Sequence, residues 1–231
     1  MIKAWRNMYI DKSRINIELI VNELYDFSKI GALSIPNILL EKASEDLVNG
    51  AKSAKKFFWR PPKKEGPVIQ EMESLYIEEL NEECLDKKFL NSINKFRKGY
   101  IEIYKEIAEK AGFQENFFNS IGIHYYPDTS IGITPHRDYA KDKDLISIFV
   151  LQGQARFCVC KDRNGSNYIE LDSSPRSLIL LRAARKNSEQ KYRPFHYLES
   201  IKQERFSLIV RRRQEKNVNE RYKKPDLFNI T

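Results

Sequence analysis

The chain has 231 residues, enough for one well-buried core with a helical layer and too few for two full-sized domains. Its 41% hydrophobic and 12% aromatic content with 31% charged residues excludes a disordered or fibrous chain, and no apolar run approaches the ~20 residues that cross a bilayer. Forty Lys and Arg against 32 Asp and Glu leave a net charge of +8, which admits a nucleic-acid partner without demanding one, because the cations are spread along the chain.

The opening segment, MIKAWRNMYIDKSRIN, lacks the continuous apolar stretch of a signal peptide, so a cytoplasmic protein with no membrane partner is expected. INIELIVNELYDF (15–27) spaces Ile17, Ile20, Leu24 and Phe27 as an amphipathic helix does. A second helix is predicted over residues 36–58, with Pro36 at its start and Leu40, Ala43, Leu47, Ala51 and Ala54 as its apolar stripe. WRPPKKEGP (59–67) reads as a basic connecting loop. The third helix is the clearest: Leu90, Ile93, Phe96, Tyr100, Ile103 and Ile107 recur at threes and fours, and Gly112 stops it.

From residue 119 the pattern changes to short β-branched runs between turn residues. There are eight: SIGIHYY, SIGITPHRD, LISIFVLQG, ARFCVCKD, YIELD, SLILLRA, PFHYLES and ERFSLIVRRR. Eight short antiparallel strands suggest a jelly roll, a double-stranded β-helix. The expected fold is therefore α+β: a mainly helical layer over residues 1–115, a jelly-roll core over 119–213 and a polar tail over 214–231. Cys84, Cys158 and Cys160 cannot all pair, and Cys158 and Cys160 share one strand face, so reduced, buried thiols are expected.

In TPHRDYA, His136 and Asp138 stand two apart, so on a strand both project from one face while Arg137 projects from the other. Alone, such a pair reads first as a strand-end salt bridge. The chain has only three histidines, and His124 precedes the pair too closely, which leaves His196 in the seventh run as the third ligand. Two histidines and one carboxylate form a facial set with open positions opposite, a pattern that suits non-haem Fe(II). Arg205 follows nine residues after His196, and Ser207 shares its strand face. If residues 196–200 and 204–213 are antiparallel neighbours, this guanidinium lies beside the metal and offers a two-pronged anchor for the remote carboxylate of a bidentate 2-oxo acid. Arg205, Ser207, Ile209 and Arg211 then form a polar face, while Phe206, Leu208 and Val210 pack in the core.

His136-x-Asp138, then His196, then Arg205-x-Ser207 resembles the Fe(II)/2-oxoglutarate-dependent dioxygenase superfamily. The resemblance implies Fe(II), 2-oxoglutarate as cosubstrate, O2, and release of succinate and CO2. An aspartate at the carboxylate position argues for hydroxylation, desaturation or demethylation over halogenation. A narrower likeness joins HYYPDTSIGITPHRD to AlkB-type nucleic-acid demethylases, and it adds Tyr126 and Arg211 as cosubstrate residues. His124 stands where that family has asparagine, and the interval from His196 to Arg205 is short for it. The expected activity is hydroxylation of a small-molecule or amino-acid-like substrate. AlkB-type demethylation of nucleic acid is the alternative, and a non-catalytic jelly-roll binding protein is the third reading. His124 is expected to be a hydrogen-bonded pocket histidine, and Arg182, Arg185 and Arg193 to be solvated loop cations.

Overall fold

The computed structural model describes residues 9–59, 64–79, 85–185 and 192–214. In chain order these form α1 (Ile17–Tyr25), β1 (Ala32–Ile35), α2 (Glu41–Phe58), β2 (Lys64–Glu65), β3 (Val68–Ile69), β4 (Glu73–Tyr76), α3 (Lys87–Ala111), β5 (Ser120–Tyr126), β6 (Ile133–His136) and β7 (Asp142–Gln152). Then follow β8 (Arg156–Cys160), β9 (Ile169–Leu171), β10 (Leu178–Arg182), β11 (Phe195–Glu199) and β12 (Arg205–Arg213).

Local chemistry sets the helix ends. The Asn16 side chain accepts the Leu19 N–H at the start of α1, and Asp86 accepts the Lys88 N–H at the start of α3. Gly112 closes α3 in the left-handed conformation at φ 66°, and Arg185 donates to the Ala111 and Gly112 carbonyls that the helix leaves open.

Strands β5 to β12 are the eight predicted runs. The six-stranded major sheet runs β1-β10-β7-β12-β5-β4, and the four-stranded minor sheet runs β6-β11-β8-β9. Strand alternation separates two cores. Ile123, Phe149, Leu180, Phe206 and Leu208 point outward from the major sheet and pack with Leu24, Leu47, Phe96 and Tyr100 of the helices. Tyr126, Val150, Ile179 and Ile209 point inward and meet Phe157, Val159 and Leu198 of the minor sheet.

Several sequence expectations need correction. The first half is not only helical: β1 and β4 extend the major sheet at both edges, and β2, inside the segment read as a connecting loop, pairs as a hairpin with β3 just after it. Residues 60–63 of that loop, Cys84 and the tail beyond residue 214 lie outside the described residues. The second helix starts at Glu41, not at Pro36, because the intervening backbone is committed elsewhere: Asp11 N–H donates to Ile38, and Ile38 and Leu39 donate to Arg176. Phe27 lies past the end of α1, 51% exposed, with its ring 4.6 Å from that of Tyr192. Among the described residues, no helix is long and apolar enough to cross a membrane.

Candidate metal and cosubstrate site

His136 ends β6 and His196 lies in β11, and the two are register partners in the minor sheet. Asp138 sits just past the end of β6 and keeps its parity, so all three side chains turn into the barrel. Gly132 allows the β6–β11 approach: its φ is 85°, and a Cβ there would collide with the Leu198 carbonyl. One ligand atom from each of His136, Asp138 and His196 lies within 4.8 Å of the others. The imidazole centroids are 4.3 Å apart, and His196 Nε2 is 3.3 Å from Asp138 Oδ2.

The second nitrogens fix which atom faces the centre. His136 Nδ1 is 2.9 Å from the Thr134 carbonyl, and His196 Nδ1 is 3.5 Å from that of Pro194. A proton on Nδ1 satisfies each carbonyl and leaves Nε2 as the lone-pair donor. Burial lowers the proton affinity of both rings, His196 to about 3. Neutral imidazoles are the form that binds metal. Burial alone would raise the Asp138 carboxyl, but Arg211 and the three histidines hold it down at about 2, so it is an anion. Two neutral nitrogens and one carboxylate oxygen therefore converge, the donor set expected of a facial site for a divalent ion.

Opposite stands the polar face of β12. Arg205 pairs in register with Tyr126, and Ser207 with His124, across the β5–β12 ladder. The conditional placement of β12 beside β11 is corrected: β12 lies between β5 and β7 in the major sheet, so Arg205 reaches the site across the barrel interior. A pocket of about 50 Å³ separates the two sides, with room for several waters or a small diacid. His124, Tyr126, Arg205, Ser207 and Arg211 supply its polar wall, and Ile133, Ile148, Phe157, Leu198 and Ile209 its apolar wall.

Arg205 is 1% exposed. Its Nη1 donates to the carbonyls of Ser173 at 3.1 Å and Gly153 at 3.4 Å, but its Nε finds no partner. No carboxylate among the described residues pairs with it, and burial lowers its pKa to about 10, still charged at neutral pH. Gly153 places it: at φ 89° the glycine backbone packs against the Arg205 Cα, where any side chain would clash. His124 Nε2 and Arg211 Nε are likewise buried without hydrogen bonds. The hydrogen bond expected of His124 is thus not made by its Nε2. Tyr126 is buried, with its phenol pushed up by burial.

Arg211 donates from Nη2 to Asp138 Oδ1 at 3.0 Å, and its Nε lies 3.8 Å from Asp142. Its guanidinium is thus engaged with the acidic member of the triad. Sequence reasoning missed Asp142, 0% exposed, because nothing local distinguishes it from a turn carboxylate. It also misjudged three arginines. Arg182 is buried and bonds the carbonyls of Tyr192 and Leu24, Arg185 caps α3, and Arg193 donates to the Asp138 carbonyl. Cys158 and Cys160 are buried free thiols, as expected.

No family model and no curated protein sequence matches the chain. Solved structures do. A prolyl hydroxylase from Trichoplax adhaerens, in complex with a hypoxia inducible factor peptide fragment, is 12% identical with a TM-score of 0.60, over 84% of this chain and 89% of that one. A full-length Neurospora crassa protein in complex with alpha-KG is 15% identical with a TM-score of 0.57, over 88% and 84%. OsALKBH1 is 11% identical with a TM-score of 0.54, over 79% and 98%. The chain therefore shares the jelly-roll fold of these proteins, with mixed helices and antiparallel sheets.

Proposed function

We propose that the chain is a single-domain, cytoplasmic Fe(II)- and 2-oxoglutarate-dependent oxygenase that hydroxylates a small-molecule or amino-acid-like substrate and releases succinate and CO2. The observation that carries this reading is Arg205: a fully buried guanidinium with no carboxylate partner among the described residues, facing a triad of metal-binding donors across a small pocket. An uncompensated buried charge costs several kcal/mol, and an anionic ligand removes that cost.

The residues fit the two groups. His136 Nε2, His196 Nε2 and an Asp138 oxygen are the atoms to hold the metal. Arg205 and Ser207, with Tyr126 beside them, suit the remote carboxylate of 2-oxoglutarate, the guanidinium giving charge-assisted bonds and the hydroxyl a further donor. Arg211 holds Asp138 ionised and oriented and lines the same pocket. Iron and 2-oxoglutarate, when bound, supply O2 activation coupled to oxidative decarboxylation. The protein's own contribution is orientation by buried, hydrogen-bonded groups and exclusion of water by the apolar wall. No side chain of the pocket is asked to move a proton. The test is O2-dependent formation of succinate from 2-oxoglutarate in the presence of Fe(II). The expected result is slow uncoupled turnover without substrate, lost in His196→Ala. Absence of succinate from folded, iron-loaded protein would refute the proposal.

The likeness to OsALKBH1 and the net charge of +8 favour one second reading, oxidative demethylation of nucleic acid. It requires salt-dependent binding of single-stranded oligonucleotides.

A further inference from the structure

Arg211 stands between two buried carboxylates. Its Nη2 donates to Asp138 Oδ1 at 3.0 Å, while its Nε lies 3.8 Å from Asp142 Oδ2. Asp142 is 0% exposed, and its Oδ1 accepts from Arg213 Nε at 3.2 Å. The Tyr76 side chain is hydrogen-bonded to Arg211 as well. Arg211 Nε and Asp142 Oδ2 are both buried without a hydrogen bond, so a charge contact at 3.8 Å is what joins them.

Strand geometry puts Asp142 in this place. Arg213 is its register partner, and the β7–β12 ladder shifts between Arg211 and Arg212. Arg211 pairs with Ile146 and Arg212 with Lys143, so two residues of β7 are passed over and Asp142 comes level with Arg213. One of the two is Asp144, in the left-handed region at φ 62°. Burial raises the proton affinity of the Asp142 carboxyl, Arg211 lowers it, Asp138 raises it again and Arg213 opposes that rise. The two acids thus compete for one guanidinium.

An arginine with a single carboxylate partner commonly forms two parallel N–H···O bonds, which would occupy both Asp138 oxygens. Here Arg211 bonds Oδ1, and Oδ2 lies 3.3 Å from His196 Nε2, where the candidate metal donors converge. A metal that had to displace a two-pronged guanidinium from Asp138 would bind more weakly. We propose that Asp142 is a positioning residue for the metal site: by drawing Arg211 Nε it keeps that guanidinium to one bond on Asp138 Oδ1 and leaves Oδ2 for the metal. The role rests on the metal centre of the oxygenase reading and goes beyond it, because it gives a task to a carboxylate outside the donor set.

The test is a titration of the full-length protein with Co(II), followed by the visible absorption of the bound ion, with melting curves to confirm folding. Asp142→Asn is expected to bind Co(II) at least tenfold more weakly than wild type. In an Arg211→Gln background the same substitution has no further effect, because the group it acts through is gone. Should the asparagine variant not fold, Asp142→Ser is expected to give the same pair of results. Wild-type affinity in the folded Asp142 variant, or an equal loss with and without Arg211, would overturn the positioning role. Wild-type protein that takes up no Co(II) would overturn the metal site and this role with it. Co(II) binding with the expected coupling but no succinate formation would refute the oxygenase reading and leave the positioning role standing.

Discussion

His136 and His196 are register partners on β6 and β11, with ring centroids 4.3 Å apart. Strand pairing thus brings together two side chains far apart in sequence, and Asp138, next on the same face after His136, adds the carboxylate. The minor sheet holds this donor set and the major sheet holds the cation opposite it, so the site depends on the two sheets packing face to face.

Replacing Arg205 separates function from stability. Arg205→Met removes a buried, uncompensated charge, so the ligand-free variant is expected to melt at the wild-type temperature or above it. Its affinity for 2-oxoglutarate should fall by roughly 100-fold or more, the loss of a charge-assisted, two-pronged anchor. Thermal melts with and without cosubstrate check both halves: wild type gains stability from the ligand and the variant does not.

Arg211 has the opposite character, since it is paired. Arg211→Gln leaves Asp138 as a buried carboxylate without its arginine, while Asp142 keeps Arg213 at 3.2 Å, and should cost about 3 kcal/mol in urea unfolding of the metal-free protein. With Asp138 no longer held, iron affinity is expected to drop roughly 10- to 100-fold. A variant with unchanged stability and unchanged iron binding would show that this pair does not matter.

Acid should destabilise the metal-free protein through its buried histidines. Burial first, then Arg211, sets His124 at about 3 in the folded state, well below its ordinary value near 6.5. The unfolded chain therefore takes up a proton below about pH 6.5 that the folded chain refuses until near pH 3. The neutral-histidine contribution is intact above about pH 6.5 and is lost as the pH falls toward 3. Urea midpoints between about pH 6 and 4 should fall less steeply in His124→Gln than in wild type, by up to about 1.4 kcal/mol per pH unit. Parallel slopes would mean that His124 is protonated in the fold.

Gly153→Ala tests the backbone that seats the cation. At φ 89° and pressed against Arg205, alanine is strained both in its own conformation and by its neighbour. A loss of about 2 kcal/mol or more in stability is expected. A weaker affinity for 2-oxoglutarate than in wild type should accompany it, because the Arg205 backbone must shift.

Alternation made much of the site legible. A strand period of two placed His136 with Asp138 and Arg205 with Ser207 and Arg211, and it sorted Ile121 and Ile123 from His124 and Tyr126 on β5. What the pattern could not convey was which strands adjoin. β11 and β12 are consecutive in sequence yet lie in opposite sheets, because the chain crosses from the minor to the major sheet between them. Nor does sequence show a partner formed only on folding. Arg211 and Asp138 are 73 residues apart, and Arg182 and Arg185 look like loop cations until the carbonyls they satisfy are in place. Pro36 misled for the same reason: the backbone after it bonds to distant segments before the helix begins.

In the proposed site, iron and 2-oxoglutarate would meet between His136, Asp138, His196 and Arg205. Its most direct test is an anaerobic titration of the metal-free protein with Fe(II) and then 2-oxoglutarate, following the metal-to-ligand charge-transfer absorption of the chelate. Wild type is expected to give a band, His196→Ala none, and Arg205→Met a band only at far higher cosubstrate concentration. Folded wild-type protein without a band, or a band that saturates equally in Arg205→Met, would contradict it.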